Sequence, residues 1–189
     1  MRHKYDTRAI VLSRSPVGEA STFIILLTAD LGIVRALSQG VRKNGAKLSH
    51  ALTTFAESNV VLVRGKDGWR LAGAVLAENW FAKLGRAETR TRAGRICNLL
   101  LRLVAGEESD RKLFPIIRGF FDALTTLKDD IHETVEILTA LRILAVLGFD
   151  AGDVREDPSD FTQPLLAEVF KNRISYIARI NNGINASDL

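Results

Sequence analysis

The chain has 189 residues, of which 47% are hydrophobic and 25% charged, so it can bury a core in one domain or two small ones and is not a disordered polypeptide. A single cysteine excludes a disulfide framework and a four-thiolate zinc site, and no apolar run reaches the ~20 residues of a membrane span. The charge is divided unevenly, with 17 Lys/Arg and 7 Asp/Glu up to Arg102 and then 9 and 15 from Leu103 onward, and this basic front half favours an anionic polymer as partner over a merely solvated surface.

The first 80 residues alternate short β-rich segments with turn signals, which is typical of a small all-β unit. Asp and Gly stand between apolar segments near residue 30 and near residue 67, and both places read as hairpin turns. The longest connection follows the third segment and contains a basic stretch. The candidate strands are residues 7–13, 21–28, 33–38, 58–64 and 69–77.

Five short strands without a long helix predict a small closed or partly open barrel, which would also protect the strand edges. An SH3-like barrel or a small sandwich fits the number of strands nearly as well, so the pattern alone leaves these architectures open. Gly40 and Gly73 are candidates for bends where a barrel turns its corners. We expect much of the barrel interior to come from Phe23, Ile25, Leu27, Val60, Leu62, Leu71 and Val75.

From residue 80 onward the apolar period becomes helical. Residues 129–149 have acidic residues in front, Gly148 behind and apolar residues nearly all round, which predicts the buried centre of a helical bundle. Residues 113–127 also read as a helix. A last helix, ending before residue 181, is predicted from one apolar face. That face consists of Leu166, Phe170, Ile174 and Ile177.

These patterns predict an α+β chain with a barrel domain at residues 1–80 and an all-α domain at residues 81–189.

No set of residues suggests catalysis. His3, His50 and His132 lack metal-ligand spacing, and Cys97 lies among apolar residues, where an inert core thiol is expected rather than a nucleophile. The glycines form no phosphate-binding fingerprint. We therefore expect a binding protein rather than an enzyme, with no metal and no cofactor.

Cations cluster on the third strand, on the loop behind it and around the last hairpin of the barrel. In a small barrel that loop and that hairpin can approach each other and form a groove that follows a nucleic-acid backbone. Gly40 and Gly45 would let the loop adapt to phosphates, although both also serve as turn residues. The candidate DNA-binding residues are Arg35, Arg42, Lys43, Lys47, Arg64, Lys66 and Arg70.

The order and spacing of several segments resemble the RecO family of bacterial DNA repair and recombination mediators. The resembling segments carry Gly18-Glu19, Leu27-Thr28, Gly32 and the stretch from Gln39 to Lys43. Leu48, Leu52 and Phe55 follow, and later the segments "LRILAVLGFDAG" and "INNGINASDL" are similar to the family's second half. The resemblance covers nearly the whole chain, although no single motif is diagnostic.

This resemblance implies an OB-fold barrel followed by a helical domain. It also implies a non-catalytic protein that binds single- and double-stranded DNA and anneals complementary strands. Such a protein would help load RecA with RecR onto DNA coated by single-strand-binding protein, so we expect a cytoplasmic, nucleoid-associated location and no membrane. Residues 1–20 lack the apolar core of a secretory signal, and the lone cysteine is compatible with a reducing cytosol.

One departure from the family stands out. Many relatives carry two pairs of cysteines after the Leu-Gly-Phe segment, whereas residues 150–165 here contain none, so we expect no bound zinc. Two alternatives stay open at this point. One is a stand-alone single-strand nucleic-acid-binding OB protein without loading activity, and the other is an enzyme whose basic patch binds a phosphorylated substrate.

Overall fold

The structure is a computed structural model that describes residues 3–17, 19, 21–39, 48–104, 110–150 and 159–187. These residues form two compact units, one reaching to Lys83 and the other beginning at Leu84. The division into domains at residues 1–80 and 81–189 remains a prediction. The α+β class is confirmed, because a closed barrel of five strands is followed by helices.

The barrel strands follow one another with short turns, except between the third and the fourth. Their bounds are β1 Lys4–Val17, β2 Ser21–Thr28, β3 Gly32–Gln39, β4 Ala56–Gly65 and β5 Gly68–Asn79. The strand order around the barrel is β1-β2-β3-β5-β4, with β4 returning to β1. All pairings are antiparallel except β3 with β5. This order is that of the OB fold and resolves the choice between the three architectures.

Closure of the barrel depends on the length of β1. Its 14 residues pair with β4 through the first part and with β2 through the second, so one strand closes the circuit. The register of β1 against β2 shifts between Val11 and Ser13, and the register of β5 against β4 shifts next to Gly73. Such bulges bend strands at barrel corners, which agrees with the role predicted for Gly73. Gly40 lies outside the described residues.

The two hairpin turns are held by residues that suit them. Thr28 donates its hydroxyl hydrogen bond to the Gly32 carbonyl at 2.8 Å and accepts one from the Leu31 amide at 2.9 Å. Gly32 and Gly68 have φ of 73° and 108°, a left-handed region that favours glycine. Both hairpins predicted from Asp-Gly signals are therefore confirmed.

The barrel interior was only partly predicted correctly. Val60, Leu62 and Leu71 belong to the buried interior cluster, as expected. On β2, however, the interior positions are Ile24 and Leu26, so the prediction of Phe23, Ile25 and Leu27 was wrong by one residue. Phe23 and Ile25 are half-buried on the outer face, and Leu27 is buried there beside Ile10. Val75 is 68% exposed and was also wrongly assigned.

The segment between β3 and β4 covers one part of the interior. Leu52 is fully buried in the interior cluster, and the Ser58 hydroxyl donates a hydrogen bond to the Ala51 carbonyl at 2.6 Å. Phe55 has a positive φ of 65°, and its amide donates to the Val11 carbonyl at 2.8 Å. The Leu48, Leu52 and Phe55 pattern seen in the sequence therefore serves packing.

The second unit is helical, as predicted, and within the described residues its helices are all too short or too polar to cross a membrane. Asp129–Ile131 form a 3₁₀ turn that leads into the fourth helix. The helices of the chain are α1 Trp80–Lys83, α2 Ala87–Leu103, α3 Leu113–Thr126, α4 His132–Val146, α5 Gln163–Lys171 and α6 Arg173–Ala186.

Helix α4 is the centre of this unit, which confirms the prediction made from its apolar surface. It contacts α2, α3, α5 and α6, and Val135, Leu141 and Leu144 are almost completely buried. It ends where Gly148 takes φ 79° and the Phe149 amide donates to the Leu144 carbonyl at 2.8 Å. This is the Schellman pattern expected of a glycine stop.

The prediction for the C-terminal helix was wrong in three respects. Asn172 separates two helices, so residues 163–186 do not form one continuous face. Leu166 is buried, whereas Phe170 and Ile174 are 54% and 80% exposed. Helix α6 also continues through Gly183, which is buried because it packs against the Phe149 carbonyl and Leu144. The sequence pattern predicts a stop before residue 181, whereas Gly183 is a glycine at a close packing contact inside the helix.

Candidate nucleic-acid interface

A row of outward-facing residues crosses the barrel where β2, β3 and β5 lie side by side. Phe23 pairs with Leu37 across β2 and β3, and Leu37 pairs with Arg70 across β3 and β5. Directly paired residues share a face, so the three side chains form one outer row across strands spaced about 4.8 Å apart. This row combines an aromatic ring, an aliphatic side chain and a cation on one surface.

Arg35 extends this row on β3. It is exposed, and its guanidinium carbon lies 4.4 Å from the centre of the Phe23 ring. Stacking of this kind is favourable because the ring face is negative and the planar guanidinium is weakly hydrated. Within the described part of the chain, Arg35 has no carboxylate at ion-pair distance, so its N–H groups remain available to an anion.

The β4–β5 turn borders the row. Gly65 pairs with Gly68, and the two turn residues Lys66 and Asp67 are exposed between them. Arg70 lies at 3.7 Å from the Asp67 carboxylate, with side chains 51% and 87% exposed, so this ion pair is weak and can exchange for a phosphate.

Arg64 lies at the end of the barrel, on the interior side of β4 rather than on the outer row. Its guanidinium carbon is 4.9 Å from the centre of the Trp69 ring, and Trp69 meets Tyr5 edge to face at 5.2 Å. Trp69 is 8% exposed and Tyr5 37% exposed. This cluster therefore presents a cation and one accessible aromatic ring at the barrel end where β5 begins.

The structure brings part of the predicted site together. Arg35, Lys66 and Arg70 surround the junction of β3 and β5, and Arg64 lies behind the same turn, because β5 begins beside Ala36 of β3. Arg42, Lys43 and Lys47 lie outside the described residues, and their role in DNA binding remains a prediction. That the four described cations bind DNA also remains a prediction.

Aromatic residues were missed when the sequence was interpreted. The apolar pattern predicts Phe23 in the interior, and the prediction of a site from cations alone includes neither Tyr5 nor Trp69. The available signal was adjacency, because Tyr5 follows Lys4 and Trp69 precedes Arg70. Aromatic residues interleaved with cations are typical of single-strand binding surfaces.

The described residues of the helical unit supply no comparable site. In the described ranges, no three His, Cys, Asp or Glu side chains come close enough to hold a metal ion. His132 is buried with its Nε2 3.1 Å from the Leu127 carbonyl, which is a structural contact. Burial raises the pKa of the Cys97 thiol to about 12, which suits an inert core residue. The absence of bound zinc remains a prediction.

Comparisons with known proteins point to one family. Residues 1–79 match the family described as Recombination protein O N terminal. The DNA repair protein RecO of Dehalococcoides mccartyi is 29% identical over 122 residues, which are 65% of this chain and 48% of that protein. RecO of Heliobacterium modesticaldum is 30% identical over 145 residues, 77% of this chain and 52% of that protein. RecO of Clostridium novyi is 27% identical over 148 residues, with shares of 77% and 56%.

The chain thus spans about half the length of the curated relatives it matches. The match to the N-terminal family covers the whole barrel, including the row on its outer face and the turn beside it. On this match and on the RecO relatives, the chain belongs to the RecO family.

Proposed function

We propose that this protein is a non-enzymatic DNA-binding component of DNA repair and recombination. The outer face of the barrel around β2, β3 and β5 binds the DNA, with phosphates held by cations and unpaired bases lying on Phe23. The observation that carries this proposal is the stack of Arg35 on Phe23 beside Arg70. The names of the relatives, DNA repair protein RecO, support the biological setting.

The chemistry of the row suits single strands. Every base has a π-face, so a base of any kind can lie on the half-buried Phe23 ring, and stacking is worth about 1–3 kcal/mol per base. Arg35, an exposed residue of β3, and Arg70, which pairs at 3.7 Å with the exposed Asp67, offer phosphate contacts near Leu37. OB folds bind oligonucleotides on the face of strands 2 and 3 between the β1–β2 and β4–β5 loops, which is where this row lies.

Duplex DNA would use the same cations without the ring. Stacked bases inside a helix cannot reach Phe23, so only the phosphate contacts remain and the binding is independent of sequence. Arg42, Lys43 and Lys47 follow β3 in the chain and would add to these contacts. We therefore expect binding to both forms of DNA and a preference for the single strand.

The finer activities are proposed by resemblance to the family. The protein would anneal complementary strands and, together with RecR, load RecA onto DNA coated by single-strand-binding protein. A surface that holds the backbone and leaves the base edges free is compatible with annealing, because a second strand can pair while the first is held. The alternative is a single-strand-binding OB protein that lacks the loading activity.

The first experiment measures binding of a fluorescent 20-mer single strand across salt concentrations. Replacing Arg35 and Arg70 with Ala should flatten the plot of log K against log salt by about 1.4, at roughly 0.7 per phosphate. The matched control replaces the exposed cations Lys112 and Lys128 of the helical unit and should leave the slope unchanged. Equal losses in both variants would overturn the proposed site.

Two further measurements separate the alternatives. Binding that strengthens with oligonucleotide length, and that inorganic pyrophosphate does not displace at equal concentration, argues against an enzyme for a small phosphorylated substrate. A strand-annealing assay with and without single-strand-binding protein then separates a mediator from a simple binder. Annealing that stops when the strands are coated supports the simple binder.

A further inference from the structure

The helical unit contains a groove that the DNA-binding proposal does not use. It lies between the start of α4 and helix α5 and has a volume of about 400 Å³, within the range of sites that bind ligands or partner side chains. Asp130, Ile131 and Thr134 line one side, and Leu166, Ala167 and Phe170 line the other. Every one of these residues belongs to the helical unit.

The α5 wall has the spacing of a helix face. Starting from Gln163, which also lines the groove, the wall residues follow the pattern i, i+3, i+4 and i+7. Leu166 is 4% exposed and forms the floor, whereas Phe170 is 54% exposed and forms an open flank. Nine residues of helix are about 13 Å long, which matches a little over two turns of a second helix laid alongside.

The charge of the groove is negative. Among its described lining residues, the carboxylate of Asp130 is the single charged group, and it has no ion-pair partner in the described part of the chain. Glu133, one turn further along, is exposed as well. The guanidinium of Arg173 already covers the Phe170 ring at 5.0 Å from its centre, so an incoming cation gains most at Asp130.

We propose that this groove binds an amphipathic helix of a protein partner. Two apolar side chains about one turn apart would enter between Ile131 on one wall and Leu166 and Phe170 on the other. A Lys or Arg beside them would pair with Asp130. Helices bind grooves in this way through anchors at i, i+3, i+4 and i+7. A helix with acidic flanks would place a like charge beside Asp130 and would gain no such pair.

The test uses three synthetic 14-residue peptides rather than an unknown partner. Two share Leu at i, i+3, i+4 and i+7 and differ in carrying Lys or Glu at the flanking positions, and the third has the Lys flanks with Ser in place of Leu. Binding is measured by fluorescence anisotropy at physiological salt. The peptide with Leu and Lys should bind at least about tenfold more tightly than either of the others, a difference of about 1.4 kcal/mol.

Variants then locate the binding. Ala167→Trp fills the exposed groove and should weaken binding of the Leu and Lys peptide at least about tenfold. Asp130→Asn should remove most of the difference in affinity between the Lys peptide and the Glu peptide. The controls are Ala178→Trp on the exposed part of α6 and Asp6→Asn on the barrel. Both variants should bind the Leu and Lys peptide as tightly as wild type does. Circular dichroism confirms that each variant is folded.

The outcomes are decisive in both directions. No binding of any peptide, equal binding of the Lys and Glu peptides, or loss of binding in Ala178→Trp rather than Ala167→Trp would overturn the proposal. Ala167→Trp should also leave the salt dependence of DNA binding unchanged, so the groove and the barrel face are tested separately.

Discussion

Arg35 and Phe23 form one structural unit on the outside of the barrel, with the guanidinium carbon 4.4 Å from the centre of the ring. Arg35 pairs with Ile25, so it lies diagonally across from Phe23 on the neighbouring strand. Stacking restricts the long side chain, because the guanidinium is held against the ring. The pair therefore offers a flat ring and a fixed cation to the same incoming strand.

This relationship predicts different effects of its two residues. Phe23→Ala should weaken binding of a single strand by about 1–3 kcal/mol, because a stacked base is lost, and should barely affect duplex binding. Arg35→Ala should weaken both and flatten the salt slope by about 0.7. Arg35→Lys should restore the slope. Anisotropy titrations on single- and double-stranded 20-mers measure both, and equal losses on the two DNAs in Phe23→Ala would contradict base stacking.

The second prediction concerns the cations Arg42, Lys43 and Lys47 in the segment that follows β3. If about four phosphates are neutralised in all, the slope of log K against log salt for single strands should be near −3, at roughly 0.7 per phosphate. Replacing Arg42 and Lys43 with Ala should flatten it by about 1 to 1.5. The loss should be similar for all sequences, because phosphate contacts carry no base information. The stability should change by less than about 0.5 kcal/mol.

A charge reversal in the acidic part of the chain, from Leu103 onward, is the control for this variant. Asp160→Lys, at an exposed position of the helical unit, should leave the slope nearly unchanged. An unchanged affinity and slope in the Arg42 and Lys43 variant would show that the loop does not bind phosphate.

Much of the fold could be predicted from local patterns, and the errors have a common cause. Strand positions and hairpins followed from turn residues, which act locally. Which side chains of β2 face the interior could not be predicted in this way, because "FIILL" is apolar at every position. The segment fits equally well with Phe23 or with Ile24 inside, and the structure has Ile24 inside. Only the pairing with β1 and β3 decides which set faces inward.

The candidate site shows the same division between local and long-range information. Arg35, Lys66 and Arg70 could be chosen as cations on barrel elements, but the parallel pairing of β3 with β5 that brings them together has no local signal. Gly183 illustrates the reverse error. It looks like a helix stop in the sequence, yet it lies within α6, where a Cβ would stand 3.0 Å from the Phe149 carbonyl oxygen and 3.1 Å from the Leu144 side chain.

Cys97 should make the stability depend on pH in the alkaline range. Burial raises the pKa of its thiol from 9.0 to about 12, so the folded state retains a proton that the unfolded state releases. The stabilisation is therefore complete below about pH 9 and is lost as the pH rises toward 12. Urea unfolding should show wild type losing stability relative to Cys97→Ala between pH 8 and about 10.5. A difference that does not change with pH would contradict this account.

The ion pairs that join α2 to α4 should be unequal in strength. Glu136 accepts hydrogen bonds from Arg92 at 2.8 Å and from Arg95 at 2.6 and 2.8 Å. The hydrogen bond to Glu136 is the main reason that the pKa of Arg95 is raised. The Glu136 and Arg92 side chains are 15% and 17% exposed, whereas Arg95 is 53% exposed and more strongly screened by water.

Glu136→Ala should therefore cost about 1–3 kcal/mol in urea unfolding, because it leaves Arg95 without its carboxylate and leaves Arg92 paired with Glu88 alone. Arg95→Ala should cost less than about 1 kcal/mol, and this cost should shrink in 1 M salt. A loss for Arg95→Ala as large as for Glu136→Ala would show that exposure does not set the ranking.

Two helical glycines offer a matched pair of substitutions with opposite expected signs. Gly94 lies inside α2, and a Cβ placed there meets nothing within 4 Å. Gly94→Ala should therefore stabilise the protein by about 0.5–1 kcal/mol through helix propensity alone. Gly119 lies inside α3, where a Cβ would stand 2.7 Å from the Ser159 carbonyl oxygen and 2.9 Å from its Cα.

Both of those contacts are with backbone, which cannot rotate away as a flexible side chain can, so either the segment at Ser159 or helix α3 must shift. Gly119→Ala should lose the propensity gain and destabilise the protein by about 1–3 kcal/mol, as overpacking does elsewhere. Urea unfolding of both variants at pH 7 measures the two signs, and m-values equal to wild type show that the same transition is observed. If Gly119→Ala stabilised as much as Gly94→Ala, the chain at Ser159 would not be held against α3 in solution.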